Sequence, residues 1–331
     1  MTYIADIHIH AHDLIPQPFR LLYKFLNRKT MPPIFNLQQF PQSDLSFVVV
    51  NAVGDKLVTG LYGFNTYNAV KKQLKKIRRQ TEKLNAILYS NSESIQEALE
   101  ENRPLIMLAV EGGDFLNNRR ERIKEIFKLG VRALTIVHSA DNCIGYSTLS
   151  LAELFKSQGN LPSKKYGGLS EFGKRAIEEL NELGLLIDLA HSCEETANDA
   201  INHSTRSVIA SHTGAATVQS NFPRFISDDL IQKIADGGGI IGLWPFYLQP
   251  YGVKTRADLL QHTQHIKSLV GSSHLAIGTD INGLPGIMEN FRYPTDLSSL
   301  VEDFKSINFT EAEATDILGK NFTTFLSNNK F

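Results

Sequence analysis

Short apolar runs alternate with helical patterns along the whole of the 331-residue chain. The first run, residues 3–10, reads as a strand. Further strand candidates follow at 46–52, 105–111, 132–137, 185–189, 207–210, 239–244 and 275–278. Between them, apolar residues recur at helical spacing over 66–84, 92–100, 120–128, 170–183, 194–202, 228–235 and 255–270, and two more helical patterns at 295–305 and 310–326 close the chain. Ser170 with Glu171, and Ser227 with Asp228, are good helix starts because their side chains can satisfy free backbone N–H groups. Repeated βα units imply a parallel sheet with helical crossovers. Eight candidate strands fit a (β/α)8 barrel of the TIM type, and no Gly-x-Gly-x-x-Gly follows the first strand to favour a dinucleotide-binding sheet. Segments 13–44 and 140–168 carry Pro, Gly and Asn without periodicity. They read as long βα loops of one barrel domain spanning residues 1–331.

Composition narrows the functional classes. An apolar fraction of 42% and a charged fraction of 21% are those of an ordinary globular protein, and a net charge of −1 argues against electrostatic binding to nucleic acid or anionic membrane. The locally basic stretch Lys71, Lys72, Lys75, Lys76, Arg78 and Arg79 lies in a helical pattern with Val70, Leu74 and Ile77 on another face, and reads as a solvated helix face. Cys143 and Cys193 are too few for a disulfide framework. No run of 18 apolar residues suggests a membrane span, and no signal pattern precedes the first strand, so a cytoplasmic location is expected.

The candidate chemistry sits where the strands end. Barrel enzymes place their active sites at the C-terminal ends of the strands. Here the first strand ends in His8-Ile9-His10, the third in Glu111 and the fourth in His138. The fifth leads to His191, the sixth to His212 and the eighth to Asp280. Alternate strand residues share a side, so His8 and His10 would project together. Two imidazoles, a carboxylate and two further imidazoles are too many ligands for one hydrolytic zinc, which keeps an open position. They suit two divalent metal ions, zinc being the expected one, bridged by Glu111. Such a pair lowers the pKa of a shared water and polarises a carbonyl. Asp280 is placed to move that water's proton to a leaving amine, and His138 to stabilise an oxyanion. Each residue has a plainer reading. Glu111 precedes Gly112-Gly113 and could open a turn, as could Asp280 before Asn282-Gly283. His191 and His212 could be core histidines, and His138 is the weakest on spacing alone. His12 could belong to a solvated patch. His203, His262, His265 and His274 read as structural or exposed.

The chain resembles the membrane (renal) dipeptidase family of dizinc peptidases. The likeness rests on Val110-Glu111-Gly112-Gly113, on Gly130-Val131-Arg132 leading to Thr135 and His138-Ser139, and on Gly168-Leu169-Ser170-Glu171-Phe172-Gly173. It continues through Leu186-Ile187-Asp188-Leu189-Ala190-His191, Ser211-His212, Ile277-Gly278-Thr279-Asp280 and Leu318-Gly319-Lys320-Asn321-Phe322. The resemblance implies that His8 and the residue two later bind one zinc, that Glu111 bridges, and that His191 and His212 bind the second. It also implies that His138 contacts substrate, that Asp280 assists proton transfer, and that Arg224 holds the substrate's terminal carboxylate. One departure stands out. The family has His-x-Asp in its first strand, and here His10 takes the place of the Asp, raising the site's charge by one unit. A more acidic bound water and an altered metal preference or occupancy are expected from that. The activity implied is hydrolysis of small dipeptides, with tolerance of a C-terminal D-residue. Another small amide substrate (an N-acyl amino acid or a lactam) and a non-catalytic metal-binding barrel are the alternatives. Family members often pair, which allows a homodimer, but the sequence marks no interface.

Overall fold

The computed structural model describes residues 3–11, 35–56, 59, 65–150, 167–283, 286–329 and 331. His12, most of the 13–44 segment and residues 151–166 lie outside them. Eight parallel strands follow one another in chain order around a barrel: β1 (Ile4–His10), β2 (Leu45–Val53), β3 (Leu105–Glu111), β4 (Val131–Thr135), β5 (Leu186–Asp188), β6 (Ile209–Thr213), β7 (Ile240–Leu243) and β8 (Leu275–Ile277). Each coincides with a run expected from the sequence. A two-residue strand, Ile87–Leu88, pairs with the start of β3 off this path, and a short hairpin joins Tyr247–Leu248 to Tyr251–Gly252. Both are too short to leave a periodic signal.

The unbroken apolar runs have a simple cause. In β2 and β3 successive side chains go to different cores. Phe47, Val49, Met107 and Ala109 fill the barrel interior, whereas Val48, Val50, Ile106 and Leu108 join the layer that includes Val70, Leu74 and Ile77 of the Thr66–Lys83 helix. A strand buried on both faces needs apolar residues at every position. In β1 the register against β2 shifts between Asp6 and Ile9. Ala5 and Ile7 belong to the interior cluster, but Ile9 belongs to the outer one, so the shift changes which side the even-numbered residues face. His8 and His10 then point to the mouth.

Closure of the barrel depends on Asp6, which is fully buried. Its carboxylate accepts the Thr279 backbone N–H at 3.0 Å and the Thr279 hydroxyl at 2.5 Å, just beyond β8. Burial raises its pKa to about 6 against the pull of those bonds. Two backbone bonds complete the seam, Asp280 N–H to His8 O at 2.8 Å and His10 N–H to Ile281 O at 3.0 Å. The residues after β8 are thereby held against the end of β1.

Within the 13–44 loop a 3-10 helix occupies Leu37–Gln42, capped by the Asn36 side chain. Two expectations need correction. The helix expected over 295–305 is confined to Leu300–Ser306. Before it, the Asp296 carboxylate accepts both the backbone and the guanidinium of Arg292 and holds the chain in turns. The last helical pattern divides into Glu311–Thr315, a π turn at Asp316–Lys320 and Asn321–Asn329. The π turn brings Gly319 so close to Tyr3 that a Cβ there would lie 2.3 Å from the Tyr3 carbonyl oxygen. Trp244 and Phe246 are core residues, 2% exposed each. No helix among the described residues is long and apolar enough to cross a membrane.

Candidate metal centre at the strand ends

The strand-end residues meet around one carboxylate. Glu111, the last residue of β3 and 1% exposed, lies within 3.7 Å of all five strand-end imidazoles named from the sequence. Its Oε1 lies 3.1 Å from His191 Nε2, 3.3 Å from His8 Nε2 and 3.7 Å from His212 Nε2. Its Oε2 lies 3.3 Å from His10 Nε2. Asp280 Oδ1 is 3.2 Å from His10 Nε2 on the far side. Two sets of three donors lie within 4.8 Å of one another: His8, His10 and Glu111, and Glu111, His191 and His212. Glu111 belongs to both and could bridge two ions.

Hydrogen bonding does not account for this convergence. His8 Nε2, both ring nitrogens of His10 and Glu111 Oε1 are buried with no aligned hydrogen-bond partner. Leaving a buried polar group unpaired costs about 1–3 kcal/mol, so several at one point require a further partner. The Nε2 atoms of His8 and His10 face the Glu111 carboxylate and, when unprotonated, offer lone pairs beside it, which is the arrangement a cation satisfies. Burial holds the pKa values of His191 and His212 well below the ordinary imidazole value, keeping both rings neutral. Burial also disfavours charge on His10, but Asp280 and Glu111 outweigh it and hold that ring up at about 10. Burial opposes ionisation of Glu111 as well, yet the surrounding imidazoles keep its pKa well below the carboxylate range.

Local backbone geometry serves the same cluster. Gly112 turns the chain away after Glu111 with φ of 93°, and a Cβ there would approach His138 Cβ at 3.1 Å. The turn reading of this stretch is therefore correct for the glycines, while Glu111 itself faces inward. His191 and Asp280 are held at φ of 68° and 54°. Non-glycine residues in this left-handed region cost free energy and concentrate at functional sites.

A third group of nearby donors, His8, Asp188 and His212, has a different character. Asp188 at the end of β5 accepts from Thr135 Oγ1 and Ser211 Oγ, both at 2.6 Å, and from the backbone N–H groups of Ala190 and Ser211. Its lone pairs are committed. It acts as scaffold behind His8 and His212, whose Nδ1 atoms each lie 2.9 Å from Ser211 Oγ.

His138 stands beside the cluster, its Nε2 3.5 Å from Glu111 Oε2. Its Nδ1 is hydrogen-bonded to Asp55, which also accepts from Ser139 Oγ at 2.8 Å. Burial opposes charge on this ring, but Glu111 and Asp55 prevail and raise its pKa to about 9. Asp55 was not singled out from the sequence, although it follows the end of β2 as Glu111 ends β3. Arg224 is 4% exposed and lies over the Trp244 ring at 4.9 Å. Its Nε and Nη2 have no partner, and burial lowers its pKa to about 10. The remaining histidines among the described residues have structural partners. His203 bonds Asp199 O, His265 bonds Asp228 Oδ1, His274 bonds Gly239 O, and buried His262 accepts the Ala215 N–H at 3.0 Å.

Residues 35–329 match the membrane dipeptidase family, peptidase family M19. An uncharacterized dipeptidase of Schizosaccharomyces pombe is 29% identical over 224 residues, 65% of this chain and 51% of that protein. The chain thus spans about half the length of the curated relatives it matches. The fold is that of dipeptidase AC, a family M19 metallopeptidase, with a TM-score of 0.80 and 17% identity over 100% of this chain and 99% of the other. A metallopeptidase from Rhodobacter sphaeroides, liganded with a phosphinate mimic of the dipeptide L-Ala-D-Ala, gives a TM-score of 0.78 at 16% identity over 99% of this chain and 100% of the other. The family match begins after β1, yet it runs through every other strand that brings a donor to the cluster, and on that ground the chain belongs to the membrane dipeptidase family.

Proposed function

We propose that the chain is a metal-dependent dipeptidase that hydrolyses the peptide bond of small dipeptides, including those with a C-terminal D-residue. The observation that carries this reading is the convergence of buried, unpartnered His8, His10 and Glu111 atoms with His191 and His212 on one point. His8, His10 and Glu111 would hold one divalent ion and Glu111, His191 and His212 a second, zinc being the ion this donor set suits. Bound there, the ions would supply Lewis acidity and make a water acidic enough to ionise near neutrality. The ligand complex of the Rhodobacter sphaeroides metallopeptidase supports the substrate class.

The chain's own residues supply the rest. Water adds to the scissile carbonyl carbon, its proton goes to Asp280, and the C–N bond breaks as Asp280 returns that proton to the departing amine. His138, fixed by Asp55, presents Nε2 to the carbonyl oxygen as that oxygen gains negative charge. Arg224 offers two unpartnered donor atoms to the substrate carboxylate, in the planar geometry that carboxylates accept. As a metal ligand, His10 would give up the proton that Asp280 and Glu111 otherwise hold on it. It would then be a neutral imidazole where the family has a carboxylate, with the nearby Asp280 supplying part of the missing negative charge.

The test is elemental analysis of metal per chain alongside hydrolysis of L-Xaa-L-Xaa and L-Xaa-D-Xaa dipeptides. About two zinc ions per chain with chelator-sensitive cleavage is the expected result. Two ions without dipeptide cleavage would move the assignment to another small amide. One ion or none, with no turnover after zinc is restored, would overturn it.

A further inference from the structure

The Thr66–Lys83 helix packs on the barrel through Val70, Leu74 and Ile77 and turns a cationic face outward. That face is not convex. It forms one wall of a groove of about 650 Å3, opposite Gln38 of the 3-10 helix. Lys71, Lys72, Lys75, Lys76, Arg79 and Lys83 line the groove, with no acidic side chain among its described lining residues. From Lys71 to Lys83 the stripe runs about 18 Å at 1.5 Å per residue.

Like charges crowd this face. Lys71 and Lys75, Lys72 and Lys76, Lys75 and Arg79, and Arg79 and Lys83 are like charges four residues apart, a spacing that destabilises a helix. The helix carries one acidic residue, Glu82. Four lysines on other helices sit beside acids on the same helix, in Lys174–Glu171, Lys233–Asp229, Lys305–Glu302 and Lys320–Asp316. The like charges at Lys75, Lys76, Arg79 and Lys83 have no carboxylate at ion-pair distance among the described residues, and a bound anion would relieve their repulsion.

We infer that this groove binds a small, multiply charged phosphate compound, at a site separate from the strand-end cluster. Its volume lies within the range of small-molecule sites. Lysine heads are compact point charges suited to phosphate oxygens, and Gln38, Asn68 and Gln80 add amide groups between them. The described lining holds no aromatic side chain to stack a nucleobase and no aliphatic one to take a lipid chain. This assignment does not depend on the proposed peptidase activity.

The probe is inorganic tripolyphosphate, titrated calorimetrically into the full chain at low and at physiological ionic strength. One-site, salt-sensitive binding is expected. The double variant Lys75→Glu/Lys76→Glu should weaken it by about tenfold or more, while Lys305→Glu/Lys320→Glu, with the same change in net charge, should leave it within about twofold. Both pairs are at the surface, and the groove variant relieves repulsion, so folding is retained and verified by circular dichroism. Equal weakening in the two double variants would reduce the effect to net charge and overturn the site. Absence of binding would also overturn it, as would equal affinity for citrate or tighter, groove-dependent binding of single-stranded DNA.

Discussion

Ser211 gives its hydroxyl proton to Asp188 Oδ2 across 2.6 Å, and that bond determines how two histidines are protonated. A serine hydroxyl has one proton and two lone pairs. With the proton committed, the 2.9 Å contacts to His8 Nδ1 and His212 Nδ1 must both be N–H donations into the oxygen. Each ring then carries its proton on Nδ1 and presents a bare Nε2 towards Glu111. Ligand histidines are commonly oriented this way, and loss of such a partner costs about 10–100-fold in metal affinity. Ser211→Ala should therefore weaken zinc binding by that factor while the fold persists. Competition with a chelating dye, read beside circular dichroism, measures it. Unchanged zinc affinity would show that the tautomers are set elsewhere.

The proposed ligand set is legible in the sequence because its members stand at the ends of apolar runs, where packing alone does not call for a polar residue. His8, Glu111, His191 and His212 all satisfy that condition, and the barrel brings them together as strand order requires. Arg224 follows no strand end and is found only through the family resemblance. Asp55 does carry a strand-end signal, but Val53-Gly54-Asp55-Lys56 is equally the composition of a turn, and its partner His138 lies 83 residues away. The register shift in β1 leaves no sequence mark at all. It arises from pairing with β2, and it is what allows Ala5 and Ile7 to pack inside while His8 and His10 face the mouth.

Asp55 is fully buried, and its carboxylate is shared between His138 Nδ1 and Ser139 Oγ. It orients the ring whose Nε2 faces the cluster. Asp55→Asn keeps the shape and removes the charge, so kcat should fall by about 10–100-fold. Zinc stoichiometry should not change, because Asp55 touches none of the proposed ligands in either three-donor set. Steady-state kinetics together with metal analysis separates the outcomes. A loss of zinc equal to the loss of rate would make Asp55 a structural support of the metal centre.

Arg224 is a buried cation with unpartnered donors, an arrangement that costs stability unless a ligand completes it. Arg224→Met should reduce kcat/KM for a dipeptide with a free carboxylate by about 30-fold or more, the range expected for losing one side of a buried charge-assisted pair. A C-terminally amidated dipeptide should be cleaved by both forms at similar rates. The variant should also melt no lower than the parent chain, since a buried charge has been removed. A parallel loss on both substrates would place Arg224 outside the carboxylate site.

Away from the metal centre, His262 makes a pH-dependent contribution to stability. It is 2% exposed, and its Nδ1 accepts the Ala215 N–H at 3.0 Å, so the ring must be neutral with its proton on Nε2. Burial, with His265 adding to it and Asp258 opposing it, lowers its pKa from 6.5 to about 4. Above pH 6.5 the folded and unfolded chains both carry the neutral ring, and the stability it permits is fully present. Below that value the unfolded chain takes up a proton that the folded chain refuses. Stability therefore falls as pH drops towards 4, by about 2 kcal/mol at pH 5 and about 3 kcal/mol in all. Other groups also titrate in this window, so the quantity to compare is the change in unfolding free energy between pH 7 and pH 5 for the parent chain and for His262→Gln. The variant should lose about 2 kcal/mol less over that interval. Equal losses would mean that protonated His262 is accommodated without breaking its bond to Ala215.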